Sequence, residues 1–200
     1  VLSLIRGLSR TPLCTRRGFN GVTRRGYRNV NAAWYRKESI MSFDVQAYRK
    51  ALGCFATGVT IITTRDSAGG AHGLTVNSFT SASMSPPLIT WCLGDKSDSF
   101  ELFSTTQSYA ANVLAASDAD FAMRFAGKGD QSLADGEYET KGTGSPILPR
   151  ALASFDAKVV DRVWVGDHLM LVGEVVAFSI RDGEGLTYFR SRFGVAPILA

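Results

Sequence analysis

Gly58-Val59-Thr60-Ile61-Ile62-Thr63-Thr64 is the stretch on which the fold turns. Every residue after Gly58 is β-branched, and such side chains are stiff at χ1 and fit a pleated surface, so the run predicts a strand. Upstream, Ser42 can cap a helix whose apolar positions Val45, Tyr48, Leu52 and Phe55 follow a period near 3.6, with Gly53 weakening it and Gly58 ending it. Downstream, Asp66, Ser67, Gly69 and Gly70 supply a turn, and a second strand is expected over about 71–79 with Leu74, Val76 and Phe79. Pro86-Pro87 then punctuates the chain, and Leu88-Ile89-Thr90-Trp91-Cys92-Leu93 reads as a buried strand.

Further on, a short helix is expected from Ser97 to Phe103 and a strand over Ser108–Leu114. Ser117 can cap a helix running to 126, in which Phe121 and Phe125 share one face. Residues 127–150 read as a long Gly-, Asp- and Pro-rich loop, and loops of this length in compact domains are often binding segments or lids. Strands resume at about 154–161 and 163–180, the latter crossing Gly166-Asp167, and a last one lies near Leu186–Phe189. Many short strands and few helices predict a mainly β, antiparallel barrel with peripheral helices. A doubly wound parallel sheet is disfavoured, and neither GxGxxG after a strand nor GxxxxGK[ST] occurs.

The 200 residues carry 22 Lys+Arg and 18 Asp+Glu, a formal net charge of +4. The charge is unevenly placed. Residues 1–40 hold nine basic residues and one acid, Glu38, which leaves 13 basic and 17 acidic residues in 41–200. A leader of +8 is joined to a domain of −4. The leader is expected to be disordered and to add nothing to the core. It reads as an upstream stretch ahead of a start at Met41, as an Arg-rich targeting peptide, or as a basic arm for phosphate backbones. No apolar run reaches the roughly 18–20 residues of a membrane-spanning helix. Cys14, Cys54 and Cys92 have no CxxC spacing, and His72 and His168 are the only histidines, so neither a disulfide framework nor a metal site is expected. Cys54 and Cys92 lie in apolar segments and are expected as small core residues, with Trp91, Trp164 and the Phe121/Phe125 pair as packing.

The most unusual segment is Gly73-Leu74-Thr75-Val76-Asn77-Ser78-Phe79-Thr80-Ser81-Ala82-Ser83-Met84-Ser85-Pro86-Pro87. It crowds hydroxyls and an amide into an apolar region. Such groups need partners when buried, and at a strand end they can hold a phosphate or the polar edge of a heterocycle. The same residues could equally form a Ser/Thr-rich turn that satisfies its own backbone.

This segment, together with Ala51-Leu52-Gly53-Cys54-Phe55-Ala56-Thr57-Gly58 and the strand that follows, resembles the flavin reductase-like family. Pro86-Pro87-Leu88, Gly166-Asp167-His168, Gly173-Glu174-Val175 and Tyr188-Phe189-Arg190 are similar to that family too, so the resemblance covers about 43–194. It implies an FMN-binding split β-barrel over 41–200, a homodimer, and an NAD(P)H:flavin oxidoreductase that supplies reduced flavin to a partner monooxygenase. By that resemblance Thr75, Val76, Asn77 and Ser78 would line the isoalloxazine and ribityl chain. Ser81, Ala82 and Ser83 would lie near the phosphate, and Lys96, Ser97 and Phe100 would form the next flavin-contacting segment, with Lys96 adding positive charge. His168 would face the nicotinamide side, and Tyr188, Phe189 and Arg190 would close the same mouth, Arg190 pairing with a dinucleotide phosphate.

FMN and FAD both remain open as the flavin. No basic cluster for a 2′-phosphate stands out in 41–200, which leans towards NADH over NADPH. No protein nucleophile is needed, because hydride transfer is cofactor chemistry. No nucleic-acid or membrane partner is expected of the domain, and a cytoplasmic location is. The alternative reading is a non-catalytic flavin-binding electron carrier or storage protein of the same fold.

Overall fold

A computed structural model describes residues 44–197. The leader 1–40 and the cap expected at Ser42 lie outside the described residues. The first helix, α1 (Val45–Leu52), is instead capped by Asp44, whose Oδ1 accepts from the amides of Gln46 at 2.9 Å and Ala47 at 3.0 Å. No residue of α1 is buried: Val45, Tyr48 and Leu52 all stand exposed, as does Phe55 just beyond it.

The chain then builds β1 (Thr57–Gly58), β2 (Thr60–Arg65), β3 (Ala71–Val76), β4 (Thr80–Met84) and β5 (Pro87–Gly94). Next come α2 (Phe100–Thr105), β6 (Ser108–Val113), a 3-10 turn (Ala116–Asp118) and α3 (Ala119–Arg124). The last elements are β7 (Glu139–Thr140), β8 (Pro146–Ile147), β9 (Ala153–Val165), β10 (His168–Ile180), β11 (Leu186–Phe189) and β12 (Arg192–Val195).

Seven strands form one antiparallel sheet in the order β3-β2-β6-β9-β10-β5-β4, and β1, β11 and β12 form a second. Although β3 and β4 stand at opposite edges, the large sheet wraps round a single cluster. Ile62 of β2, Trp91 and Leu93 of β5, Tyr109 of β6, Ala157 of β9 and Leu171 of β10 meet there with Phe103 of α2, and Leu74 and Val76 of β3 pack against them. Trp91 is edge-on to Phe103 and Tyr109, with ring centroids 5.7 and 5.9 Å away. Gly173 makes room for this arrangement, since a Cβ there would run into the Tyr109 hydroxyl. A second cluster lies on the other face, where Ile61, Leu114, Phe125 and Leu186 meet. Gly73 lets Phe125 approach β3: a Cβ at 73 would stand 2.9 Å from the Phe125 ring.

β2 is buried over five of its six residues, threonines included. Thr63 Oγ1 donates to the Pro146 carbonyl, and Asn112 donates to the Ile61 carbonyl at 3.1 Å and to Thr63 Oγ1 at 3.0 Å. Asn112 Oδ1 accepts from the Leu148 amide and from Ser154 Oγ, each at 2.9 Å. Buried Asp156 accepts from the Thr143 amide at 2.8 Å and from its hydroxyl. These satisfied polar groups tie the second half of the 127–150 segment to the sheet, so it is not one structureless loop and carries the short β7–β8 pair.

Several element boundaries differ from the sequence expectation. The strand expected over 71–79 ends at Val76, and the chain bends through Asn77–Phe79 into β4, an edge strand whose polar sequence hides its type. The long hairpin turns at Gly166-Asp167 and not near 162, because Gly166 takes φ +62°, a conformation open to glycine. Ser117 sits inside the 3-10 turn and the helix after it ends at Arg124, with Phe121 and Phe125 edge-on at 5.1 Å. Cys54 is exposed and not in the core, since it follows a helix that lies outside the packed layers. Cys92 is half-buried on the face of β5 opposite Trp91, as the two-residue strand period requires, and burial pushes its thiol pKa up.

Candidate functional site

The bend between β3 and β4 is pinned to β5 by one side chain. Ser78 Oγ accepts from the Cys92 amide at 3.0 Å and donates to the Cys92 carbonyl at 3.2 Å. Thr75 Oγ1 donates to the Ala122 carbonyl at 2.7 Å, which joins β3 to α3. The Thr75 and Ser78 hydroxyls thus act within the protein. Val76 is packed on the core, and Asn77 stands exposed with its amide unengaged among the described residues.

This bend forms one wall of a cleft of about 850 Å³. Asn77, Ser78, Phe79 and Thr80 line one side and Tyr188 of β11 another, while Arg49, Leu52 and Phe55 close it from α1 and the segment after it. Phe79 is fixed by stacking on Phe155 at 5.7 Å, and Tyr188 by an edge contact with Phe193 at 5.5 Å. Thr57 of β1, paired with Tyr188, carries a buried Oγ1 without a partner among the described residues. Apolar rings beside exposed amide and hydroxyl groups suit a flat heterocycle with a polar edge, which is the chemistry a flavin presents.

A second group of expected residues gathers where the β5–α2 turn meets the β9–β10 turn. His168 stands opposite Gly94 in the ladder, and the Asp95 amide donates to the Asp167 carbonyl at 3.0 Å. His168 Nδ1 lies 2.7 Å from Asp167 Oδ1, and that hydrogen bond, with the His168 and Lys96 charges, holds the Asp167 carboxyl below its usual range. Lys96 is exposed, and its ammonium has no hydrogen bond or ion pair among the described residues. Phe100 lies against Trp164 at 5.8 Å with planes tilted by 30°. Ser97 Oγ accepts from the Ser99 amide at 3.3 Å, and Ser99 Oγ bonds Gln131, which brings the 127–150 segment to this turn. Cys92 and Gly94 are two residues apart on β5, so the Ser78 anchor on its β4 edge and His168 on its β10 edge stand about 7 Å apart along that strand.

The remaining expected residues do not all join these two groups. Ser83 pairs with Leu88 across a bulge after Ser81, so about 20 Å of strand separates it from Gly94 and the Lys96 turn. Within one chain, Ser81–Ala82–Ser83 and Lys96 therefore do not converge on a single phosphate. Phe189 and Arg190 line an adjoining cleft of about 560 Å³ with Arg192 and Phe193, and the Arg190 amide donates to the carbonyl of Gly53, on the wall of the first cleft, at 2.8 Å. Arg190 and Ser191 take φ of +47° and +62° in the β11–β12 turn, and the Arg190 guanidinium lies 5.2 Å over the Phe189 ring and 3.8 Å from Cys54 Sγ. Arg49 and Thr57 had no individual signal in the sequence; tertiary folding alone brings α1 and β1 to the cleft.

No helix among the described residues is long and apolar enough to cross a membrane. The family model for the "Flavin reductase like domain" matches residues 52–197. A "Probable flavin reductase" of Rhizobium meliloti is 37% identical over 151 residues, 76% of this chain and 49% of that protein, so the chain spans about half the length of that relative. "FMN reductase (NADH) SmoA" of Agrobacterium fabrum is 36% identical over 149 residues, 74% of this chain and 84% of that protein. The crystal structure of BorF, the flavin reductase component of a bacterial two-component tryptophan halogenase, superposes with a TM-score of 0.71 at 28% identity, covering 78% of this chain and all of that one. On the match over residues 52–197, with its fold and its cleft, the chain belongs to the flavin reductase-like family.

Proposed function

We propose that this chain is an NADH-dependent flavin reductase that passes reduced flavin to a separate flavin-using oxygenase. The observation that carries the reading is the cleft at the β3–β4 bend, where unengaged Asn77 lies beside Phe79 and Tyr188 in a chain of this family. A bound flavin would supply the hydride-accepting ring and a reduced nicotinamide the hydride. The protein's part is to bind, orient and exclude water.

In this reading Thr75, Val76, Asn77 and Ser78 line the ring and ribityl chain, and the Asn77 amide holds the ring's polar edge. Ser81, Ala82 and Ser83 serve the flavin tail, while Lys96, Ser97 and Phe100 bound the site at the other corner. His168 meets the nicotinamide. Its Nδ1 donates to ionised Asp167, and that bond fixes the ring's tautomer and orientation. Tyr188 faces the cleft, and Phe189 and Arg190 serve the outer rim. Residues 41–200 act as one domain, in the cytoplasm where both nucleotides are at hand.

The working unit in this proposal is a homodimer. Val176, Phe178 and Ile180 point outward along β10, and Phe178 and Ile180 are 71% and 81% exposed. A contiguous apolar stripe of this kind suits a second copy. The function is tested by following NADH loss at 340 nm with purified protein, with and without FMN. Flavin-dependent oxidation is expected, and retention of tightly bound FMN without turnover would overturn the reading.

A further inference from the structure

We propose that Arg49 anchors the phosphate-bearing part of a nucleotide in the cleft between α1 and the Asn77–Thr80 bend, an inference that rests on the flavin reductase reading above. Among the described residues, Arg49 is the one charged side chain lining that cleft. Its guanidinium has no hydrogen bond or ion pair among the described residues, and Asp44, the acid on the adjoining turn, is occupied in capping α1. The surrounding walls are apolar or neutral: Leu52, Phe55, Phe79 and Tyr188 face it with Asn77 and Thr80. The domain from 41 onward holds more acids than bases, so an unpaired cation at this place is not the overflow of a basic surface.

The two cations that the family resemblance brings to the site, Lys96 and Arg190, do not line this cleft. Lys96 sits at the Asp167 corner, beyond the end of β5, and Arg190, although its amide is bonded to Gly53, turns its guanidinium over Phe189 in the adjoining cleft. Arg49 fills that place. It shares the cleft with Thr80, and Ser81, the next residue, keeps its hydroxyl unengaged among the described residues. A planar guanidinium pairs with two phosphate oxygens at once, and a neighbouring hydroxyl adds a further donor. The anion comes either from the flavin's phosphate or from the diphosphate of the nicotinamide dinucleotide.

The test uses the full chain and its Arg49→Gln and Arg49→Lys variants, with binding of FMN, riboflavin and ADP-ribose measured by calorimetry. Arg49 is exposed on α1, so both variants are expected to keep the parent's circular dichroism and thermal midpoint. A loss of about tenfold in affinity for FMN in Arg49→Gln, with riboflavin unchanged, supports the flavin phosphate as the anion. A similar loss for ADP-ribose supports the nicotinamide diphosphate, and Arg49→Lys recovers part of the loss in either case. The proposal is overturned if FMN and riboflavin weaken equally while ADP-ribose does not change, if no affinity changes, or if the parent chain binds none of the three. Because these readouts are binding constants, an absence of NADH oxidation would overturn the reductase reading and leave the Arg49 result standing.

Discussion

Ser78 and Cys92 exchange two hydrogen bonds through a single hydroxyl: the Cys92 amide donates to Ser78 Oγ and Ser78 Oγ donates back to the Cys92 carbonyl. The side chain thereby acts as the missing rung between the β3–β4 bend and β5, and it fixes where Asn77 stands in the cleft. Ser78→Ala leaves both backbone groups of Cys92 without this partner. We expect a loss of about 1–2 kcal/mol in stability, read as a lower urea midpoint, together with weaker flavin binding. Unchanged binding would show that the bend keeps its place without the hydroxyl.

His168 offers the opposite case, an exposed residue with little to do in folding. His168→Ala is expected to leave the thermal midpoint within about 0.5 kcal/mol of the parent, as surface changes do. If His168 meets the nicotinamide, KM for NADH rises about tenfold while KM for flavin stays put. A rise in both by the same factor would speak for a general distortion of the corner.

Gly73 is set by the close approach of Phe125. A methyl at 73 would meet the Phe125 ring at 2.9 Å and Ile61 at 3.1 Å, in the middle of the second core cluster. Gly73→Ala is expected to cost about 1–3 kcal/mol by overpacking, seen as a drop in thermal midpoint, while Gly127→Ala, which meets nothing within 4 Å, changes it little.

The Arg124–Glu137 pair makes part of the stability depend on pH. The Arg124 guanidinium bonds both Glu137 oxygens, at 2.6 and 3.1 Å, and holds that carboxyl below its ordinary value of 4.5. A lowered folded-state pKa means that the contribution is present in full above 4.5 and is lost as pH falls through the lowered value. Glu137→Gln should therefore flatten the acid limb of a midpoint-against-pH curve below 4.5 and shift the neutral plateau only slightly. A parallel shift of the whole curve would count against this.

Phe178→Asp places a charge in the outward apolar stripe of β10. Light scattering is expected to show a dimer for the parent chain and a monomer for the variant, with secondary structure unchanged. A monomeric parent would remove the homodimer from the proposed function.

The sequence by itself determined the elements whose side chains carry their own instruction. The β-branched run at 59–64, the apolar alternation at Ile89, Trp91 and Leu93, and the Phe121/Phe125 spacing each name a strand or a face by local sterics and period. The segment 73–83 also stood out, since hydroxyls are costly to bury unless something receives them. Tertiary structure alone decided what those hydroxyls do. Ser78 is spent on β5 and Thr75 on α3, while the Asn77 amide stands exposed and unengaged among the described residues, and nothing in the local sequence separates these three fates. It also decided which distant pieces meet. β4 and β12 lack a hydrophobic period because they lie at sheet edges, and Arg49 reaches the cleft only because α1 folds back beside Tyr188. Local propensity fixes a residue's own backbone, but a site is a set of long-range distances, and those exist only once the sheet has wrapped around its core.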